Sequence, residues 1–398
     1  MPRLIKVKMP RLSTILLFMV LTAVLAFPNT RSLRGMLFMT LGVYLFCMMI
    51  LRRSGIRWMH CLWVVSFYVM TQLSIRWSIY PEGAVTVISN VSNAMLLNWC
   101  LGEYIYQGKW DFGHSCRVML AISVLLSINF LVNNTLEYGR YSLEVNANVV
   151  GMNAAFLFGM VSYGAKEAQW KKWYYNLAAV IIALIALLTG SRKALMIILM
   201  FVAAFVFFWV PEKNMKKFMA KLLVTLGVLA ALVALLMKVD VLYDTIGNRL
   251  ESLYQQWFMG EETDASAISR ARMISIGMNI FKKKPWIGFG HNAFKMGSGY
   301  DTYSHNNYVE LLCSMGIIGT LLFYIPLIYF TVEAFRLWRK GVPGAILPLT
   351  IFVIQFVNDI GQVSYYNLCI NIFLGMAAGY VYLLKREYKQ GKYDDLVI

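Results

Sequence analysis

Arginine, lysine and histidine set beside long apolar runs are the residues whose types and spacing can do chemistry in this chain. Gly190-Ser191-Arg192-Lys193 forms a minimal turn between two strongly apolar segments. Arginine is expensive near hydrocarbon, so it normally faces a polar cavity or an anionic partner. The alternative is that both cations snorkel to the interface; the first reading suits Arg192 and the second Lys193. Ser269-Arg270-Ala271-Arg272 then opens a segment in which Met273, Ile274, Ile280 and Phe281 recur at helical spacing. Arg270 lies on that apolar stripe, whereas Arg272 is turned from it by about 200°. An inward arginine needs an anion, either a ligand or a structural carboxylate. Lys282, Lys283 and Lys284 make a basic knot before Pro285, which is solvated or meets lipid phosphate.

Histidine is scarce, four in the chain, yet two fall close together, in Gly288-Phe289-Gly290-His291-Asn292 and Tyr303-Ser304-His305-Asn306-Asn307-Tyr308-Val309-Glu310. A histidine at a membrane boundary can act as a general base near neutral pH, donate to a phosphate, or simply pack. Glu310, just over one turn beyond His305, is placed to orient its ring or balance an arginine. The glycines around Phe289 permit a tight turn. The loop offers no carboxylate pair of the glycosidase kind. The six cysteines lack metal-ligand spacing and read as small packing residues; no metal or other cofactor is expected. Two arginines and one or two histidines describe an anion site suited to a lipid phosphate or pyrophosphate, gripped bidentately by guanidinium groups. The candidate catalytic residues are His305, Arg270 and Arg192. Arg192, Arg270, Arg272, His291, Asn306 and Glu310 are the candidate substrate contacts.

The elements that must position these residues are membrane helices. The chain of 398 residues is 59% hydrophobic and 14% charged, far from the roughly 25% charge of soluble domains. Apolar runs at 12–27, 35–51, 58–75, 84–101, 118–132, 147–163, 174–188, 194–210, 220–237, 307–335, 345–359 and 365–384 predict an all-α polytopic protein with about twelve transmembrane helices. Asn90, Ser92, Asn93 and Asn98 weaken the fourth, and Asn153 and Gly159 the sixth. The basic stretch ahead of Leu12 reads as the flank of a retained helix rather than of a cleaved signal. Lys and Arg total 37 against 20 Asp and Glu, and 23 of those cations fall on the loops sharing a side with the N-terminus. Cytoplasmic loops collect such residues, so both termini are expected inside, and the excess says nothing of nucleic acid. The expected organisation is 1–237, helices one to nine; 238–305, a long helical loop on the outer face; and 306–398, helices ten to twelve with a cytoplasmic tail.

Three motifs make the sequence similar to the O-antigen ligase and Wzy-type polymerase superfamily. They are Leu-Thr-Gly-Ser-Arg ending a span, Ser-Arg fifteen residues before Pro-x-x-Gly-x-Gly, and Ser-His-Asn-Asn-Tyr-x-Glu-Leu-Leu followed by Gly-Ile-Ile-Gly, together covering about 188–319. The resemblance implies a metal-independent, inverting glycosyltransferase of the bacterial cytoplasmic membrane, active on its outer face. Its donor would be an undecaprenyl-pyrophosphate-linked glycan, its other partners membrane lipid, an acceptor glycan and a chain-length regulator protein. By position, Arg192 and Arg270 would bind the donor pyrophosphate and His305 would act at the transfer centre, while Arg272 and His291 fall off the family's core positions. Local texture favours a polymerase over a ligase that moves glycan to lipid A core. A polytopic transporter or lipid flippase is the alternative class; its acidic candidates are Glu103 and Asp359.

Overall fold

The computed structural model describes residues 12–29, 57–107, 110–137, 140–168, 172–209, 265–342 and 344–393, with isolated positions at 42, 216, 217, 219, 220, 223, 224 and 227. Its helices are α1 (Leu12–Leu25), α2 (Trp58–Leu73, extended by a 3-10 turn Ser74–Trp77), α3 (Pro81–Tyr106), α4 (Phe112–Asn133), α5 (Ala147–Glu167), α6 (Trp173–Leu188), α7 (Arg192–Phe207), α8 (Ala265–Lys283), α9 (Ala293–Ser298), α10 (Asn307–Arg339), α11 (Ile346–Asn358) and α12 (Leu368–Lys389). Among the described residues, five segments are long and apolar enough to cross a membrane: Trp58–Trp77, Pro81–Tyr106, Phe112–Asn133, Asn307–Arg339 and Leu368–Lys389. Shorter apolar helices, α1, α6 and α11, pack among them. The expected spans at 35–51 and 220–237 lie outside the described residues apart from those isolated positions, and the start of the long loop at 238–264 lies outside them altogether.

The two spans that polar residues weaken in the sequence are full helices, and Asn98 and Asn153 are spent on neighbouring helices. Asn98 of α3 donates to Asn371 Oδ1 of α12 at 3.3 Å and pairs with His60 Nε2 of α2 at 2.7 Å. Asn153 of α5 donates to the Val24 and Leu25 carbonyls at 3.0 and 3.1 Å, and Asn129 of α4 to that of Ala26 at 2.8 Å. Both asparagines thus satisfy carbonyls that the end of α1 leaves open. α12 is the buried centre of the bundle and lies hard against α3: a Cβ on Gly375 would sit 2.2 Å from the Asn98 carbonyl oxygen. Small residues permit such close backbone approach between membrane helices.

Two features position the loop-side chemistry. A short antiparallel hairpin, β1 (Thr135–Glu137) and β2 (Arg140–Ser142), joins α4 to α5. From it Arg140 donates Nε to the Thr189 carbonyl and Nη2 to Asn148 Oδ1, both at 2.8 Å, bracing the turn that leads into α7. The second is a break in α10 at Gly316, where φ is +62° and ψ −163°. Pro285–Gly290 fills that break. Ile317 N and Ile318 N donate to the Pro285 and Trp286 carbonyls at 2.8 and 3.1 Å, and Phe289 N and Gly290 N to those of Cys313 and Ser314 at 2.9 and 2.8 Å. Backbone groups freed by the break are therefore paired with the loop.

Candidate functional site

α8 presents Arg270 as its spacing predicts. Met273 and Ile280 are buried against Phe294, Val309 and Cys313, with Ile274 packed on the same cluster. Arg270 is half-buried on this side and Arg272 exposed. The knot at 282–284 is mostly solvated, but Lys284 lies over the Phe289 ring at 5.6 Å.

His305 sits between α9 and α10 with φ +54°. That left-handed backbone is uncommon for a residue with a side chain, although histidine adopts it more readily than most. Its ring meets that of Tyr303 at 4.4 Å. Burial, then the positive charges of Arg270 and Lys193, push the imidazole down to about 4, so it is neutral at physiological pH. Arg270 also acts on Tyr303, whose phenol is raised by burial, lowered by Arg270 and raised again by Glu310. The Tyr303 and His305 rings thus meet just ahead of α10, with Arg270 of α8 acting electrostatically on both and Lys193 of α7 on His305.

Lys193 is the correction. The sequence assigned it to the interface, but its ammonium turns inward and donates to Gln362 Oε1 at 3.2 Å. It lies one residue ahead of the apolar run beginning at Ala194, and burial, then Arg270, pushes it down to about 8. Arg192 starts α7 beside it, half-buried, after a Ser191 side chain that caps Ala194 N–H at 3.4 Å.

The remaining candidates serve the loop that carries His305. Glu310 is buried and accepts from Ser304 N at 2.8 Å, so it holds the turn and leaves the His305 ring alone. Asn306 caps α10 by accepting from Val309 N at 3.0 Å and donates to the Ile360 carbonyl at 3.1 Å. Asn307 ties the same helix end to Asp359, donating from its backbone to the Asp359 carbonyl at 2.8 Å and from Nδ2 to the carboxylate at 3.2 Å. Asp359 also receives Tyr324 Oη and Gln355 Nε2, each at 2.7 Å, and the Ser364 hydroxyl. That fully buried carboxylate is enclosed by donors that anchor the start of α10. His291 is likewise interior: it is 0% exposed, its Nδ1 lies 3.0 Å from Tyr365 Oη, and burial pushes it down to about 3. Asn292 donates to the Gly83 carbonyl at 2.6 Å, fixing the stretch against α3.

Lys193, Tyr303 and Gln362 join the site without having been expected there. Lys193 alone carried a signal, as one of two cations in an outer hairpin. Gln362 comes from a turn 169 residues distant, and no local pattern pairs it with α7.

Residues 177–324 match the family described as O-antigen ligase. That stretch contains Arg192, Arg270, His305 and the loop packed into α10, so the matched segment covers the motifs that carry the resemblance. No curated protein sequence matches the chain.

Proposed function

We propose, from its O-antigen ligase-type segment, that this membrane protein is a polymerase of lipid-linked glycans, joining undecaprenyl-pyrophosphate-linked oligosaccharide repeats into a surface polysaccharide. The observation that carries the reading is the meeting of His305, neutral and backbone-constrained, with cations on α7 and α8. In the reaction the acceptor hydroxyl oxygen forms a bond to the anomeric carbon as the bond from that carbon to the pyrophosphate oxygen breaks, inverting the centre. His305 accepts the hydroxyl proton. Arg270 and Arg192 hold the pyrophosphate and offset the charge that develops on it as it leaves. No step requires a metal. Arg272, His291, Asn306 and Glu310 then contribute through the surroundings of the site, the last two by fixing the His305 turn.

A ligase reading, transfer of finished glycan to lipid A core, has the family description in its favour. Purified protein given a lipid-linked repeat alone is expected to yield a ladder of lengthening glycan. Transfer seen only when lipid A core is added makes it a ligase. No transfer to either acceptor overturns the glycosyltransferase reading.

A further inference from the structure

Lys193 is held by a group that leaves its charge intact. Gln362 accepts one of its three N–H bonds and donates from its own amide to Met152 Sδ at 3.6 Å. A carboxylate at that position would have neutralised the ammonium; a glutamine orients it and leaves two donors for something else. Among the described residues no carboxylate pairs with Lys193 or with Arg270. Glu310, the acidic group that acts on Tyr303, is committed to the Ser304 N–H. Lys193 of α7 and Arg270 of α8 thus both act electrostatically on one histidine, and among the described residues neither is paired with an acid. Like charges brought together away from water raise one another's free energy unless an anion joins them. Their separation onto two elements suits an anion with two adjacent charged groups better than one with a single group.

We propose that Lys193, presented by Gln362, is a specificity residue that makes this site select a lipid diphosphate over a lipid monophosphate, Lys193 and Arg270 each taking a different phosphoryl group. The assignment rests on the donor-pyrophosphate reading of the same site. It gives the protein a means of holding a charged carrier while rejecting carriers that have already lost a phosphate.

The test uses the full-length protein in detergent, with farnesyl diphosphate and farnesyl monophosphate as probes and binding read by calorimetry. The wild type is expected to prefer the diphosphate by about tenfold or more, the effect of one charge-assisted contact. Lys193→Met should weaken diphosphate binding by about tenfold and monophosphate binding by less than about threefold, collapsing the preference. Gln362→Glu should do the same by pairing the ammonium, and it keeps the proposal testable if Lys193→Met folds poorly. Lys193→Arg should retain the preference and exceed the wild type at about pH 9.5, where a lysine lowered by its surroundings is neutral and an arginine is not. An unchanged preference in both Lys193→Met and Gln362→Glu overturns the proposal. Arg270→Met separates the two levels: if it weakens both probes while Lys193→Met leaves their ratio alone, only the role of Lys193 fails. If Arg270→Met changes neither probe, the donor-anion reading fails with it.

Discussion

His305 is held in a left-handed backbone by groups on both sides, with Glu310 on the Ser304 N–H before it and the Asn306 and Asn307 anchors after it. Strain of this kind costs on the order of 1 kcal/mol and persists where surrounding contacts over-determine it. Asparagine tolerates the same conformation but is no base, so His305→Asn should leave folding intact and lower kcat by about 10²-fold or more. Single-turnover kinetics with a lipid-linked repeat checks this, and near-wild-type chemistry would remove the base. The imidazole sits at about 4 in the free protein, and a base works only when deprotonated. The acid limb of kcat/KM is therefore expected near pH 4 and that of kcat at a higher pH, because a bound anion favours the imidazolium. On α8, Arg270→Ala should abolish most turnover at normal expression, whereas Arg272→Ala, altering an exposed residue, should stay within about threefold of wild type. Arg270 and His305 stood out as candidates in the sequence because few residue types solve their problem: an arginine on an apolar stripe and a histidine at a boundary each need a partner. Lys193 was misread because snorkelling and inward pairing have the same sequence signature, and only Gln362, far along the chain, distinguishes them.

The element that most shapes the site is the break in α10. At Gly316 the φ of +62° and the nearness of the loop exclude a side chain, since a Cβ there would lie 2.4 Å from Trp286 C and 2.5 Å from Ile287 N. Gly316→Ala should lower stability by about 2–4 kcal/mol, through left-handed strain and overpacking together. It should also loosen Pro285–Gly290, the stretch leading to His291. Thermal unfolding in detergent reads the first effect and amide hydrogen exchange across 285–292 the second; an unchanged melting point would show that the break carries no constraint. The helices themselves were legible from their apolar runs, and among the described residues each expected span lies on one. Their ends were not: α3 runs from Pro81 to Tyr106 and α10 to Arg339, because capping and packing, rather than loss of hydrophobicity, end a helix. The break escaped notice because Gly-Ile-Ile-Gly keeps the surrounding pattern apolar while one dihedral departs from it. The hairpin β1–β2 escaped because three residues per strand leave no periodicity to detect.

For the whole molecule, charge and apolar composition divide the work. The apolar excess requires a membrane, and the positions of the cations set which way the chain crosses it. With 23 of 37 Lys and Arg on the loops sharing a side with the N-terminus, the C-terminal end of α12 is expected inside and the α8–α9 region outside. Met296 and Lys389 are both exposed, so cysteines placed there report the two faces without disturbing packing. In intact cells stripped of their outer barrier, a membrane-impermeant maleimide should label Met296→Cys and spare Lys389→Cys, and lysis should make both react. Unaltered protein must label weakly in parallel, as expected of Cys100, Cys116, Cys313 and Cys369, which are buried. The reverse pattern would put Lys193, Arg270 and His305 on the cytoplasmic side, where a donor carried across the bilayer would be out of reach. The orientation is therefore a condition of the proposed chemistry: under that reading, transfer on the outer face requires Lys193 and Arg270 to belong to the minority of cations that the inner side did not collect.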